Sequence, residues 1–276
     1  NTFDDVASGF FVRASQKGLE LSAFLDSNAP HLLVGDPGRL RQVLVNMVGN
    51  AIKFTSSGEV YLKGELLENR KEEVLIRFSI RDTGIGIPKE KQASIFESFT
   101  QADGSTTRKF GGTGLGTTIS RMIVEMMGGR ICLESEEGKG ATFWFDLVFQ
   151  KQNLPDEPQP KRQVLFPELN ILIVDDNQNN RFILREYVKS WGCRSVESAN
   201  APEALVMLEE TYQSGGRFDL ILSDYLMPEI DGFEMVRQIR AREDFRAIPC
   251  IILTSAGKRG DGQSCRDIGI QGYLTK

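Results

Sequence analysis

Asp36-Pro37-Gly-Arg39-Leu40-Arg-Gln42-Val43-Leu44-Val-Asn46-Met47-Val48-Gly-Asn50-Ala51-Ile-Lys53-Phe-Thr55 reads as one helix with two stripes. Asp before Pro is a strong helix start. The carboxylate caps free amides, and the fixed φ of proline suits a first turn. At helical spacing, Leu40, Val43, Leu44, Met47, Val48 and Ala51 form a core face. Arg39, Gln42, Asn46, Asn50 and Lys53 form a polar stripe about a third of a turn away. A polar stripe alone would be solvated surface. Two amides and an ammonium in register also suit a phosphate with a hard divalent cation. Amide oxygens ligate such a cation, and the ammonium meets phosphate as a point charge.

Two further runs follow, Asp82-Thr-Gly84-Ile-Gly86-Ile87 and Gly111-Gly112-Thr-Gly114-Leu115-Gly116. Asp82 ends an apolar strand, where a carboxylate can accept from an exocyclic amine such as that of adenine. Its glycines permit a tight turn and close backbone approach. The second run opens a helix, Leu115–Met127, whose bare N-terminal amides suit phosphate. Neither a P-loop ending nor a dinucleotide fingerprint is present. Thr100 to Lys109, with Gly104, Arg108 and Lys109, has the length and polarity of a lid over a nucleotide. A helix over 4–17 and strands over 19–25, 59–67, 74–82, 130–135 and 141–149 complete the half. The expected fold is an α/β sandwich, one sheet covered by helices on one face.

Four of the ten prolines, Pro155, Pro158, Pro160 and Pro167, fall between Gln150 and Asn170. Such a stretch continues neither a helix nor a central strand. It sets an expected organisation of a first domain over 1–150, a linker over 151–168 and a second domain over 169–276. In the second domain, short apolar strands over 170–174, 194–198, 219–223, 250–254 and 270–274 alternate with helices. This pattern predicts a doubly wound parallel sheet in the flavodoxin-like order. Asp175, Asp176, Asp224, Thr254 and Lys276 all emerge at carboxyl ends of those strands. Clustered carboxylates repel unless a cation such as Mg²⁺ intervenes. One of them can then serve as a nucleophile and form an acyl phosphate, with Thr254 and Lys276 meeting the phosphoryl oxygens.

Bulk properties narrow the class. The chain has 276 residues and a net charge of −5, which argues against a nucleic-acid surface. No apolar run approaches the ~20 residues of a membrane span, and no leader is evident. The start at Asn1 marks it as a fragment, with a cytoplasmic setting expected and a membrane anchor left open for the parent protein. Its four cysteines lack metal-type spacing and read as incidental thiols.

The first half resembles the catalytic ATP-binding domain of sensor histidine kinases. Asn46 to Lys53 matches their N box, Asp82 to Gly86 their G1 box, Ile95-Phe96-Glu-Ser-Phe99 their F box and Gly112 to Gly116 their G2 box. The resemblance implies that Asn50, with Asn46, holds Mg²⁺, that Lys53 contacts phosphate and that Asp82 holds the adenine amine. Gyrase, Hsp90 and mismatch-repair ATPases share the fold and hydrolyse ATP with a glutamate where this chain has Asn46. Transfer to a distant acceptor is therefore expected over hydrolysis in place. Thr117-Thr118 departs from the apolar residues usual after the last glycine.

The second half resembles a response-regulator receiver through Asp175-Asp176-Asn177, Asp224-Tyr-Leu226-Met227-Pro228-Glu-Ile-Asp231-Gly232, Thr254-Ser-Ala and Tyr273-Leu-Thr-Lys276. The resemblance implies that Asp224 accepts a phosphoryl group. Asp175, Asp176, Asp224 and the Leu226 carbonyl would surround Mg²⁺, and Thr254 and Tyr273 would form a switch pair. Receivers continue into a fifth helix beyond this lysine, where the sequence stops. The pairing of halves implies a hybrid histidine kinase. Its acceptor histidine would sit on a dimerisation domain outside this chain, with a downstream phosphotransfer protein as a further partner. His31, after a proline in a connecting segment, reads as a packing or surface residue. Two alternatives stay open: a kinase-like module that binds without catalysis, and a stand-alone gyrase- or Hsp90-type ATPase.

Overall fold

The computed structural model describes residues 2–96, 115–152, 166, 168–254, 265 and 267–275. The chain divides into two compact units, Asn1–Glu157 and Pro158–Lys276.

In the first unit, helix α1 (Thr2–Gln16) leads into β1 (Leu19–Leu25), the short β2 (Leu33–Val34) and helix α2 (Pro37–Phe54). Strands β3 (Gly58–Asn69) and β4 (Glu73–Asp82), helix α3 (Lys89–Gln92) and a 3₁₀ turn at Ser94–Phe96 follow. Helix α4 (Leu115–Met126), β5 (Ile131–Glu136) and β6 (Gly140–Lys151) complete the unit. The sheet runs β1-β3-β4-β6, with β5 and β2 both paired to β6. Among the described residues of this unit, β1–β3 pair in parallel and the other pairings are antiparallel.

Alternation explains the layer. Val74, Ile76, Phe78 and Ile80 of β4 are buried while Arg77 and Ser79 point away. The inward residues, with Phe145 and Leu147 of β6, pack against Val43, Leu44, Met47, Val48, Ala51 and Ile52 of α2. Ile123 and Val124 of α4 join the same core. On α2, Asp36 accepts from the Arg39 amide at 3.0 Å, the cap its sequence predicts. The polar stripe stays half-buried at Asn46, Asn50 and Lys53.

In the second unit, β7 (Asn170–Val174), β8 (Arg194–Ser198), β9 (Leu220–Asp224), β10 (Cys250–Thr254) and β11 (Gly272–Thr275) form one parallel sheet. Its order is β11-β10-β9-β7-β8, the flavodoxin-like arrangement. Helices α5 (Gln178–Ser190), α6 (Ala201–Gln213) and α7 (Gly232–Ala241) connect the strands. Leu172 and Val174 face one core and Ile171 and Ile173 another, as a sheet covered on both faces requires.

Differences from the sequence reading are local. The expected strand over 219–223 runs from Leu220 to Asp224, and the last strand begins at Gly272 rather than Ile270. Strand β6 reaches Lys151, and Gln152 N donates to Leu32 O at 3.1 Å, so ordered pairing extends past residue 150. Phe166 N donates to Trp191 O at 2.9 Å, tying it to the second unit. His31 is exposed. Cys193, Cys250 and Cys265 are buried, Cys132 is half-buried, and none of the four is in a disulfide. Among the described residues, no helix is long and apolar enough to cross a membrane.

Candidate functional site

The three glycine- and asparagine-bearing runs meet through named contacts. The Asn46 amide, midway along α2, donates to Ser120 Oγ on α4 at 2.8 Å. Gly116 opens α4 directly against Asn46, since a Cβ there would fall 2.3 Å from Asn46 Oδ1. The N-terminus of α4 therefore rests on the polar stripe of α2. The turn after β4 closes on the other end of the same helix. Ile85 N donates to Phe54 O at 3.3 Å. Gly84 leaves no room for a side chain, with Phe54 O only 2.5 Å from where its Cβ would lie. Gly86 adopts φ +67°, and its missing Cβ would overlap Glu136 O.

Asp82 is 7% exposed and accepts from Gly84 N at 2.8 Å. Burial pushes its carboxyl above the usual range, while amides of Gly84 and Ala141 pull partly back. Such a carboxylate, oriented by the turn and little exposed to water, is equipped to accept from one directed donor. Ser135 and Gln92 hold the far side of this turn. Ile87 N donates to Ser135 Oγ at 2.8 Å, and the Gln92 amide reaches Ile87 O at 2.9 Å. The Lys53 ammonium lies 4.7 Å from the Phe54 ring centroid. Thr117 is half-buried and Thr118 is 8% exposed, so the unusual threonines sit within the packing of α4. Leu115 begins that helix. Arg108 and Lys109, the rest of the stretch from Thr100 to Lys109 expected as a lid, and Gly112 and Gly114 of the glycine run lie outside the described residues.

The second unit gathers its acidic residues at one sheet edge. Ligand oxygens of Asp175, Asp176 and Asp224 lie within 4.8 Å of one another. Asp175 is fully buried, Asp224 is 6% exposed and Asp176 is exposed. Asp175 Oδ1 accepts from Asn177 N at 2.9 Å and from the Asn180 amide at 3.3 Å. Arg181 donates to the carbonyls of Asp175 at 2.6 Å and Asp176 at 3.0 Å, fixing the acidic turn from below. Two buried carboxylates beside a third fit a hard cation with oxygen ligands, which offsets their mutual repulsion. Leu226, whose carbonyl was the fourth expected ligand, lies in the loop after Asp224 with its side chain 62% exposed.

That loop is tightly specified. Gly232 N donates to Tyr225 O at 3.0 Å. A Cβ on Gly232 would fall 2.2 Å from Asp224 O, and Asp231 caps α7 by accepting from Glu234 N at 2.7 Å. Glu229 holds φ +66°, a left-handed turn residue other than glycine. Leu253 pairs with Asp224, so Thr254 ends β10 one residue beyond that pairing and is 1% exposed. Tyr273 on β11 is half-buried, its ring 6.2 Å from Phe233, which lies 4.8 Å from Tyr225. Lys276 lies outside the described residues.

Asn180, Arg181 and Ser120 escaped the sequence reading. Asn180 had a signal, since Asn177 as N-cap puts it in the first turn, over the acidic pair. Arg181 and Ser120 reach backbone or amide groups brought close only by the fold.

Comparison with known proteins identifies the family of each unit. Residues 35–151 match the family of histidine kinase-, DNA gyrase B- and HSP90-like ATPases, and residues 171–276 match the response regulator receiver domain. The chain is 36% identical to the sensor histidine kinase AruS of Pseudomonas aeruginosa, over 99% of its own length and 27% of that protein. It is 34% identical to hybrid signal transduction histidine kinase K of Dictyostelium discoideum, over 96% of its length and 23% of that protein. The sensory/regulatory protein RpfC of Xanthomonas campestris is 31% identical over 96% of this chain and 40% of that protein. The chain thus spans less than half of each of these relatives. A GHKL-type ATPase domain followed by a receiver domain, in a chain whose relatives are hybrid sensor kinases, places it in the hybrid histidine kinase family.

Proposed function

We propose that this chain is the ATP-donor and receiver portion of a two-component phosphorelay. The observation that carries the reading is the set of Asp175, Asp176 and Asp224 oxygens within 4.8 Å of one another, in the same chain as the ATPase-type domain. The functional organisation assigned is a catalytic domain over 1–150, a linker over 151–168 and a receiver over 169–276.

In the first domain, Asp82 accepts from the adenine amine, Lys53 meets phosphate, and Gly84, Gly86 and Gly112 to Gly116 let backbone approach the nucleotide. Arg108 and Lys109 supply charge from the lid. Asn46 is engaged with Ser120 and confined by Gly116, and an amide cannot take a proton from water. That supports transfer to a histidine over hydrolysis in place. The acceptor histidine belongs to a dimerisation domain outside this chain.

In the receiver, an Asp224 oxygen attacks the phosphorus of the phosphohistidine. The P–N bond breaks, its electron pair stays on the imidazole, and an acyl phosphate forms. Thr254 and Lys276 meet the phosphoryl oxygens, and Tyr273 moves with Thr254 as the switch pair. Asp175, Asp176, Asp224 and the Leu226 carbonyl would hold Mg²⁺ in the receiver, and Asn50 in the ATP site, where the ion would neutralise phosphoryl charge. Asn180 and Arg181 keep the acidic turn in place. The relay operates on the cytoplasmic side, with a histidine phosphotransfer protein as the next acceptor.

Incubation with acetyl phosphate and Mg²⁺, followed by intact-mass measurement, tests the receiver assignment. One phosphoryl group per chain is expected, and none in Asp224→Asn. Equal labelling of that variant would remove Asp224 from the mechanism.

A further inference from the structure

The C-terminal turn of α2 leaves no carbonyl idle. A helix ordinarily ends with four carbonyls lacking intrahelical partners. Here they belong to Ile52, Lys53, Phe54 and the cap residue Thr55, because the last helical bond closes on Ala51 O. Ala51 O accepts from Thr55 N at 3.0 Å and from Thr55 Oγ1 at 2.7 Å. Phe54 O accepts from Ile85 N at 3.3 Å. The remaining three are taken by one side chain from a distant turn. The Lys17 ammonium donates to Ile52 O at 2.6 Å, Lys53 O at 3.2 Å and Thr55 O at 2.9 Å. An ammonium has three donors, and here each meets a carbonyl.

The base of this clamp is itself fixed. Lys17 N donates to Ala14 O and Gly18 N to Ser15 O, both at 2.9 Å, and Gly18 takes φ +68° to turn the chain into β1. Helix α1 is anchored beside α2 by Asp5, which accepts from Arg41 at 2.7 Å. Lys17 therefore presents its ammonium from a rigid turn.

We infer that Lys17 is a positioning residue for the nucleotide site, an inference that rests on the ATP-site reading above. Two physical links connect it to that site. The turn it clamps carries Asn50 and Lys53, and Phe54 O of the same turn seats Ile85 and abuts Gly84. Movement of that turn shifts both the α2 side chains and the turn below Asp82. The second link is electrostatic. The C-terminus of a helix carries a partial negative charge, which opposes an approaching polyphosphate. The Lys17 ammonium, bound to three carbonyls there, neutralises it.

Calorimetric titration of the whole chain with Mg²⁺ and a nonhydrolysable ATP analogue tests this, alongside melting temperature without nucleotide. Lys17→Met should weaken binding about tenfold, as loss of charge-assisted hydrogen bonds from one turn implies. Lys17→Arg, which keeps the charge and several donors, should recover most of that loss. Arg77→Met removes the two-point pair with Asp146 across β4 and β6, at 2.7 and 2.8 Å. It should lower the melting temperature while leaving affinity unchanged, which separates positioning from stability. If Lys17→Met does not fold, Lys17→Gln gives the same readout with the charge removed. Wild-type affinity in the uncharged variant overturns the inference, and so does an equal affinity loss in Arg77→Met. Absence of binding by the wild-type chain overturns the ATP-site reading itself and the inference with it.

Discussion

Gly116→Ala offers a sharp test of how α2 and α4 assemble the first site. Near a helix start, replacing glycine by alanine ordinarily stabilises, by up to ~1 kcal/mol in a helix interior. The geometry here reverses the sign. The new methyl would lie 2.3 Å from Asn46 Oδ1, 3.0 Å from its Cγ and 3.2 Å from its Nδ2. Asn46 must then rotate, which breaks its 2.8 Å bond to Ser120, a residue 1% exposed. Leaving that hydroxyl unpaired costs about 1–3 kcal/mol. An off-rotamer Asn46 adds roughly 0.5–1.5 kcal/mol. Against the helix-propensity gain of up to ~1 kcal/mol, the net is about 0.5–4.5 kcal/mol of destabilisation. For a unit of this size each kcal/mol lowers the melting temperature by roughly 2–4 °C. Differential scanning calorimetry should therefore find a drop of several degrees, with nucleotide affinity at least about tenfold weaker because an expected ligand has moved. A higher melting temperature, or unchanged affinity, would refute the reasoning about this contact.

Asp82 predicts a pH dependence. Burial raises its carboxyl above the ordinary 3.8, so the folded state favours the protonated form. The stability this contributes is present at low pH and lost as pH rises through the raised value. Chemical denaturation at about pH 4.5 and about pH 7.5 should show the wild type losing stability relative to Asp82→Asn, whereas nucleotide affinity rises over the same window as the acceptor ionises. Opposite slopes would exclude Asp82 as the amine acceptor. In the receiver, Gly232→Ala would press a methyl to 2.2 Å from the Asp224 carbonyl oxygen. The backbone cannot yield without moving Asp224, so a loss on the order of 2–3 kcal/mol is expected, with acetyl-phosphate labelling slowed. Wild-type labelling and melting would contradict this.

Much of this was legible in the residues themselves. Strand β7 and its acidic ends could be read because four apolar residues followed by two aspartates have one placement in a parallel sheet. The strand β1 and the Asp36 cap followed equally from local pattern. Strand β2 could not: Leu33 and Val34 pair with Lys151 and Gln150, more than a hundred residues away, and two residues carry no period. Helix α3 is a single turn and is silent for the same reason. Asn46, Asn50 and Lys53 were visible as a stripe, but the contact of Asn46 with Gly116 and Ser120 needed the packing of α4. Lys17 was invisible because a lysine before a glycine at a helix end reads as solvated. Only the fold brings the end of α2 over it.

The most direct test of the whole account follows the phosphoryl group itself. The chain is incubated with γ-³²P-labelled ATP, Mg²⁺ and a separately supplied dimerisation domain that bears the acceptor histidine. The account predicts label on that histidine and then on Asp224, label stalled on the histidine in Asp224→Asn, and no label at all in Asn50→Ala. Release of free phosphate by the chain alone at the same rate, without labelled protein, would contradict it.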